Sequence, residues 1–171
     1  MTLAQAILSF VLFQRLAELW LSRTNARRLL AKGGVEHGAE HYPWLVILHA
    51  GWLVALVVSV PAEAEIDGFW LALFVLLQAA RFWVLMTLGE SWTTRIITVP
   101  RRPLVRSGPY RYLRHPNYAV VAGEIAVLPL VFDRWLIALV FSLANAVLLY
   151  ERIRIEDAAL AACRAITPGD S

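Results

Sequence analysis

The chain has 171 residues, 59% of them hydrophobic and 17% charged, with a formal net charge of +3 at pH 7, a pI near 9.4 and a mean hydropathy of +0.59. A soluble domain is about half apolar and about a quarter charged, so this composition excludes an ordinary soluble domain; the basic residues sit in short loops between apolar runs, a pattern that sets membrane orientation rather than one that binds nucleic acid. The lone Cys163 excludes an intrachain disulfide and a multi-cysteine zinc site.

The first apolar segment runs from about Leu3 to Leu21, near the ~20 residues that cross a hydrocarbon core. Met1 to Leu12 carry no charge, so the basic start of a signal peptide is missing and this helix is expected to be kept. Gln14, Arg15 and Glu18 fall within about one helical turn of each other inside it. A loop with Arg23, Arg27, Arg28 and Lys32 follows, then His37-Gly38-Ala39-Glu40-His41. That spacing matches H-x-x-E-H, which on a helix would bring two imidazoles to one zinc ion. Here it follows Gly33-Gly34, contains Gly38 and ends before Pro43, so no helix and no metal site are expected.

The second segment, about Pro43–Val60, contains His49. The loop after it carries Glu63, Glu65 and Asp67 without a Lys or Arg. The third, about Gly68–Leu88, holds Gln78 and Arg81. The stretch from Thr93 to Tyr118 is too polar to span and unusually rich in Pro, Gly and aromatic residues. Its β-branched start, Thr93–Val99, predicts an extended segment, and Ser107-Gly108-Pro109 predicts a turn. Pro116 suits the first turn of the fourth span, about Asn117–Val131, which contains Glu124. His115, Asn117, Tyr118 and the free amides of that helix start would then meet at the membrane boundary, where anionic groups are attracted. A plain interfacial belt of Tyr, Trp and Arg is the other reading.

Phe132, Asp133 and Arg134 separate the fourth span from the fifth, about Trp135–Tyr150, giving a tight helical hairpin. Glu151-Arg152-Ile153-Arg154-Ile155-Glu156-Asp157 follows as a helical extension. Arg152 and Glu156 are four apart on one face, in the base-first order that is less favourable for a simple helix ion pair. The ionisable groups inside the spans need partners or water. They admit structural pairing, Arg15 with Glu18 and Arg81 with Glu124, or a polar cavity for a head group. His49 and Asn145 are expected as helix–helix hydrogen-bond partners.

The chain thus reads as one all-α integral membrane domain over residues 1–171 with about five transmembrane helices. Loop one, loop three (Arg95, Arg101, Arg102, Arg106, Arg111, Arg114) and the tail (Arg152, Arg154, Arg164) carry the positive charge. The positive-inside rule places them in the cytoplasm and the N-terminus outside. The terminal Pro168-Gly169-Asp170-Ser171 offers no prenylation box.

Arg-His-Pro-Asn-Tyr (114–118) before a short hairpin, then Arg152-x-x-x-Glu156-Asp157-x-x-Leu160 after it, resembles the isoprenylcysteine carboxyl methyltransferase family, membrane enzymes that use S-adenosylmethionine. The similar region runs from about Arg95 to Leu160. Gln14-Arg-Leu-Ala-Glu-Leu, Asn25-Ala-Arg and His41-Tyr-Pro further resemble the short bacterial branch, associated with polyketide-type products such as alkylpyrones. The resemblance implies cofactor contacts from Arg102, Pro103, Leu104, Val105, Tyr110, His115, Pro116, Asn117, Tyr118 and Glu156 (the region about 95–118 and 151–160), with Arg152 facing the methyl acceptor. Arg95 stands where the family has a polar cofactor contact of another type. Val120 replaces a common glycine and Asp157 a common glutamate, which leaves acceptor identity open.

Methyl transfer from a sulfonium is an in-line displacement that needs positioning more than acid–base help. Glu156 suits the cofactor's ammonium or positive sulfur, Arg152 an anionic oxygen, and Tyr110, Tyr112 and Tyr118 an adenine. The expected activity is O-methylation of a lipophilic carboxylate or acidic enol, prenylcysteine-like or alkylpyrone-like. The acceptor would enter from the bilayer and the cofactor from the cytoplasm. A non-catalytic scaffold or a nicotinamide-dependent membrane reductase is the alternative; no G-x-G-x-x-G supports a Rossmann site.

Overall fold

The computed structural model describes residues 1–100 and 102–164, the last three by backbone alone. Arg101, the side chains of Cys163 and Arg164, and the terminal Pro168–Ser171 lie outside the described residues. Five α-helices carry the architecture: α1 (Leu3–Ala31), α2 (Tyr42–Ser59), α3 (Gly68–Leu88), α4 (Pro116–Val131) and α5 (Trp135–Arg164). α1, α2, α3 and α5 are long and apolar enough to cross a membrane, and α4 is a shorter apolar helix of 16 residues. At 1.5 Å per residue α4 covers about 24 Å, somewhat less than a hydrocarbon core of about 30 Å. The protein is an all-α, multi-pass membrane protein.

The helix starts follow from their sequences. Thr2 caps α1 through a reciprocal capping box with Gln5. Asp67 caps α3 by accepting from the amides of Phe69 at 2.8 Å and Trp70 at 3.1 Å. Pro116 occupies the first position of α4, where its missing N–H costs nothing.

The chain alternates direction. At one end Thr2 Oγ1 donates to the Ala62 carbonyl, the Asp67 amide donates to the Val131 carbonyl at 3.0 Å, and Arg134 Nε donates to the Ser59 carbonyl at 3.0 Å. The acidic loop between α2 and α3 therefore shares an end with the α4–α5 turn, where Asp133 adopts a positive φ of 56°. The buried cluster of Val11, Trp52, Leu56, Phe74, Ile125, Leu128 and Phe132 lies in this half. Outside it the usual pattern inverts: Trp20 is 70% and Val58 81% exposed, with Phe13 and Phe69 similar. Such an apolar perimeter is stable against lipid and would be a liability in water.

The buried charges resolve as one network joining α1, α3 and α4. Arg81 Nε reaches Glu18 Oε1 at 2.5 Å and its Nη1 reaches Glu124 Oε2 at 2.8 Å. Arg15 meets Glu18 at 2.9 Å and Glu124 at 2.8 Å. Gln14 and Gln78 donate to Glu18 and Glu124. Two arginines and two glutamates sum to zero charge, and each charge has an opposite partner, which meets the membrane's demand. Both expected pairs exist, but the cross-pairs unite them.

Three expectations need correction. α1 does not stop near Leu21 but continues to Ala31, because Ser22–Ala31 keeps helical spacing after apolarity ends; Arg23, Arg27 and Arg28 thus lie on the helix and not in a loop. The segment after it forms a strand, β1 (Val35–His37), paired antiparallel with β2 (Ile96–Thr98). His49 and Asn145 do not bridge helices among the described residues: His49 Nδ1 bonds the Leu45 carbonyl of its own helix at 2.7 Å, and Asn145 Oδ1 is buried without a partner.

Candidate functional site

At the end of the bundle opposite the acidic loop, the Thr93–Tyr118 stretch folds back over the start of α4 and the outer turns of α5. Together they enclose a cavity of about 640 Å³, within the range of small-molecule sites. The extended start expected from its β-branched residues is β2, which crosses to β1. The expected turn is a short helical turn over Gly108–Arg111. Gly108 sits at φ +57° hard against Thr87 and Trp83 of α3, and a Cβ there would come within 2.4 Å of Thr87 Oγ1.

Arg102, Pro103, Leu104, Val105, Tyr110, His115, Asn117, Tyr118, Arg152 and Glu156 all border the cavity. Pro116 does not; it is buried as the first residue of α4. Arg95 borders it, but its guanidinium is engaged by Glu36 at 3.0 Å and lies over the Tyr42 ring at 5.2 Å. Tyr112 is 75% exposed and outside the lining, which corrects its expected place beside an adenine.

Arg152 and Glu156 project from one face of α5, and Tyr118 stands between them. Its hydroxyl donates to Glu156 Oε2 and accepts from Arg152 Nε at 2.9 Å. The two charged residues are therefore not a simple ion pair. Arg152 Nη2 donates to the Thr94 carbonyl at 2.5 Å. The Arg152 residue is only 9% exposed, yet no carboxylate lies within ion-pair distance of it among the described residues. A buried cation held by two neutral oxygens is costly, and its Nη1 is left without a protein acceptor among the described residues.

His115 stacks on Tyr118, with ring centroids 5.4 Å apart. Its Nδ1 is 3.8 Å from Glu156 Oε1 and its Nε2 3.3 Å from Asp157 Oδ1. Nε2 and Asp157 Oδ1 are close enough for an ion pair but are misaligned for a hydrogen bond, so both remain buried without one. Burial, with Glu156 adding to it, holds the Tyr110 phenol well above its ordinary pKa, so it stays a neutral donor.

The His37–His41 segment is not a helix. His37 ends β1 with Nε2 2.8 Å from Thr98 Oγ1, and Gly38 turns the chain at φ +62°. Four further residues support the site: Ser22, which the sequence does not single out, and Asn25, Tyr42 and Thr94, which stand in the quoted segments without this role. Ser22 and Asn25 are fully buried polar side chains on α1, and both bond the Gly89–Thr94 loop that carries the Arg152 acceptor. A polar residue just past a span was a usable but non-specific signal.

Comparison with known proteins adds a family. Residues 70–162 match the isoprenylcysteine carboxyl methyltransferase family, just over half of the chain. The chain is similar to YpbQ of Bacillus subtilis (strain 168), described as uncharacterized: 37% identical over 158 residues, 90% of this chain and 94% of that protein. It is also similar to an uncharacterized protein of Haemophilus influenzae (strain ATCC 51907 / DSM 11121 / KW20 / Rd), 28% identical over 155 residues, 88% of this chain and 90% of the relative. No solved structure matches.

Proposed function

The chain belongs to the isoprenylcysteine carboxyl methyltransferase family and is a membrane methyltransferase, and from that premise we propose that it transfers a methyl group from S-adenosylmethionine to an anionic oxygen of a lipophilic acceptor. The acceptor oxygen belongs to a carboxylate or an acidic enol, on a prenylcysteine-like or alkylpyrone-like molecule.

The donor set fits the cofactor. Glu156 is the cavity's carboxylate and would meet an ammonium or a positive sulfur. Arg102 and Arg114, which have no carboxylate partner among the described residues, would meet the cofactor's own carboxylate. Leu104, Val105 and Tyr110 offer the flat, largely apolar walls that an adenine requires. When bound, S-adenosylmethionine supplies an electrophilic methyl on a positively charged sulfur.

The observation that carries the reading is Arg152. A guanidinium clamped by Thr94 and Tyr118, without a counter-ion among the described residues, keeps Nη1 for an incoming oxyanion. Such preorganised donors lower the barrier by fixing the nucleophile rather than by moving protons. A carboxylate or acidic enol arrives already ionised, so the site needs no general base. Tyr118 keeps Arg152 and Glu156 apart, which lets one side chain serve the acceptor and the other the cofactor.

The Arg-rich end is proposed to face the cytoplasm, with the N-terminus outside. The cofactor then enters from the cytoplasm and the acceptor's tail stays in the bilayer. Detergent-solubilised protein should bind S-adenosylhomocysteine and not NADPH. Binding of NADPH alone would favour a reductase, and binding of neither would leave a scaffold.

A further inference from the structure

We propose that Ser22 and Asn25 of α1 are positioning residues for Arg152, acting through the backbone of Thr94; the inference rests on the methyltransferase reading above. α1 lies outside the residues that match the family. Its polar edge nonetheless leads to the acceptor arginine in two consecutive hydrogen bonds, Ser22 to Thr94 and Thr94 to Arg152.

Asn25 Nδ2 donates to the Gly89 carbonyl at 3.1 Å and to the Trp92 carbonyl at 2.8 Å, which fixes both ends of the turn after α3. Three residues away on the same face, Ser22 Oγ accepts from the Thr94 amide at 2.9 Å and shares a hydrogen bond with Thr94 Oγ1 at 2.7 Å. Tyr42 of α2 meets that same hydroxyl at 3.1 Å. The amide and hydroxyl of Thr94 are thus committed to α1 and α2, and its carbonyl is aimed at Arg152 Nη2.

A tether between helix and loop would by itself account for buried Ser and Asn side chains. What exceeds a tether is the absence of redundancy downstream. Among the described residues Arg152 has no carboxylate to hold it, so its orientation depends on the Thr94 carbonyl and on Tyr118, through its hydroxyl and its ring 5.6 Å away. Releasing Thr94 frees one side of the guanidinium without touching the cofactor walls at residues 102–105. The predicted signature is selective: acceptor handling fails while cofactor binding holds.

The test uses the full-length protein in lipid nanodiscs. Arginine modification by phenylglyoxal is followed by mass spectrometry at Arg152, with Arg81 in the buried network as the folding control. Ser22→Ala should speed modification of Arg152 about tenfold, the size of one lost hydrogen bond, and leave Arg81 protected. Ser22→Thr, which retains the hydroxyl, should behave as the parent. Asn25→Asp sets an acceptor against two carbonyls and should show the same change; it decides the matter if Ser22→Ala exposes Arg81.

In parallel, labelled methyl transfer is measured with a prenylcysteine and a long-chain alkylpyrone as probes. Ser22→Ala should raise the acceptor KM at unchanged S-adenosylhomocysteine affinity. Combined with Arg152→Lys it should add no further loss, as coupled residues do. Equal Arg152 modification in all variants overturns the link, as does a Ser22→Ala loss that multiplies with Arg152→Lys. Faster modification with no methylation of either probe by the parent protein keeps the link and counts instead against the methyltransferase reading.

Discussion

Two sets of arginines in this molecule obey opposite rules. Arg15 and Arg81, within the bundle, each contact both Glu18 and Glu124 in a network of zero net charge. Arg152, at the cavity, is as deeply buried but is held by a carbonyl and a hydroxyl. A closed network spends its charge internally and holds helices together. An open one keeps charge for something that arrives, and the difference separates scaffold from site.

The strongest way to break that comparison is to remove Arg81. Arg81→Met leaves Glu18 and Glu124 sharing Arg15 alone in a low-dielectric interior, and should destabilise the protein by about 3–5 kcal/mol. The check is unfolding in mixed micelles; a loss below about 1 kcal/mol would mean the network is not the tie. Replacing Arg81 and Glu124 together by Met and Gln, which leaves the neutral Arg15–Glu18 pair, should cost less than Arg81→Met alone.

Arg152→Ala should lower methyl transfer by about 100-fold or more, as loss of a preorganised oxyanion donor does, while S-adenosylhomocysteine binding is largely retained. Glu156→Ala should weaken that binding by at least about tenfold, the usual size for a charge-assisted contact. Calorimetric titration of both variants sharpens the division, and equal loss of binding in the two would remove it. Smaller still is the Tyr110 effect. Because its phenol is held protonated well above the usual range, it should not titrate between about pH 7 and 9, and Tyr110→Phe should leave the shape of the pH–rate profile unchanged over that window.

The five apolar helices, the α4–α5 hairpin and the segments that enclose the cavity were all legible in the sequence. Apolar run length and the positions of Pro116 and Asp67 reflect local physics. The continuation of α1 to Ala31 is not legible, because apolarity marks the helix only as far as Leu21 and the polar residues after it suit a loop equally well. β2 lies within the extended Thr93–Val99 segment that its β-branched residues predict, but β1 and the pairing are not legible: three residues carry no periodicity, and Val35 pairs with Thr98 far along the chain. The same non-locality hides the role of Ser22 and Asn25, whose partners lie 64 to 72 residues further along the chain. Arg152 and Glu156 were visible as a spaced pair, but Tyr118 between them, which turns an ion pair into two separate sites, was not.

The account stands or falls most directly on transfer of labelled methyl from S-adenosylmethionine into lipid extracts of cells with and without the protein. A new labelled lipophilic product that requires the protein and disappears with Arg152→Ala is the predicted result. Identical extracts, from cells whose protein is folded and binds S-adenosylhomocysteine, would contradict it.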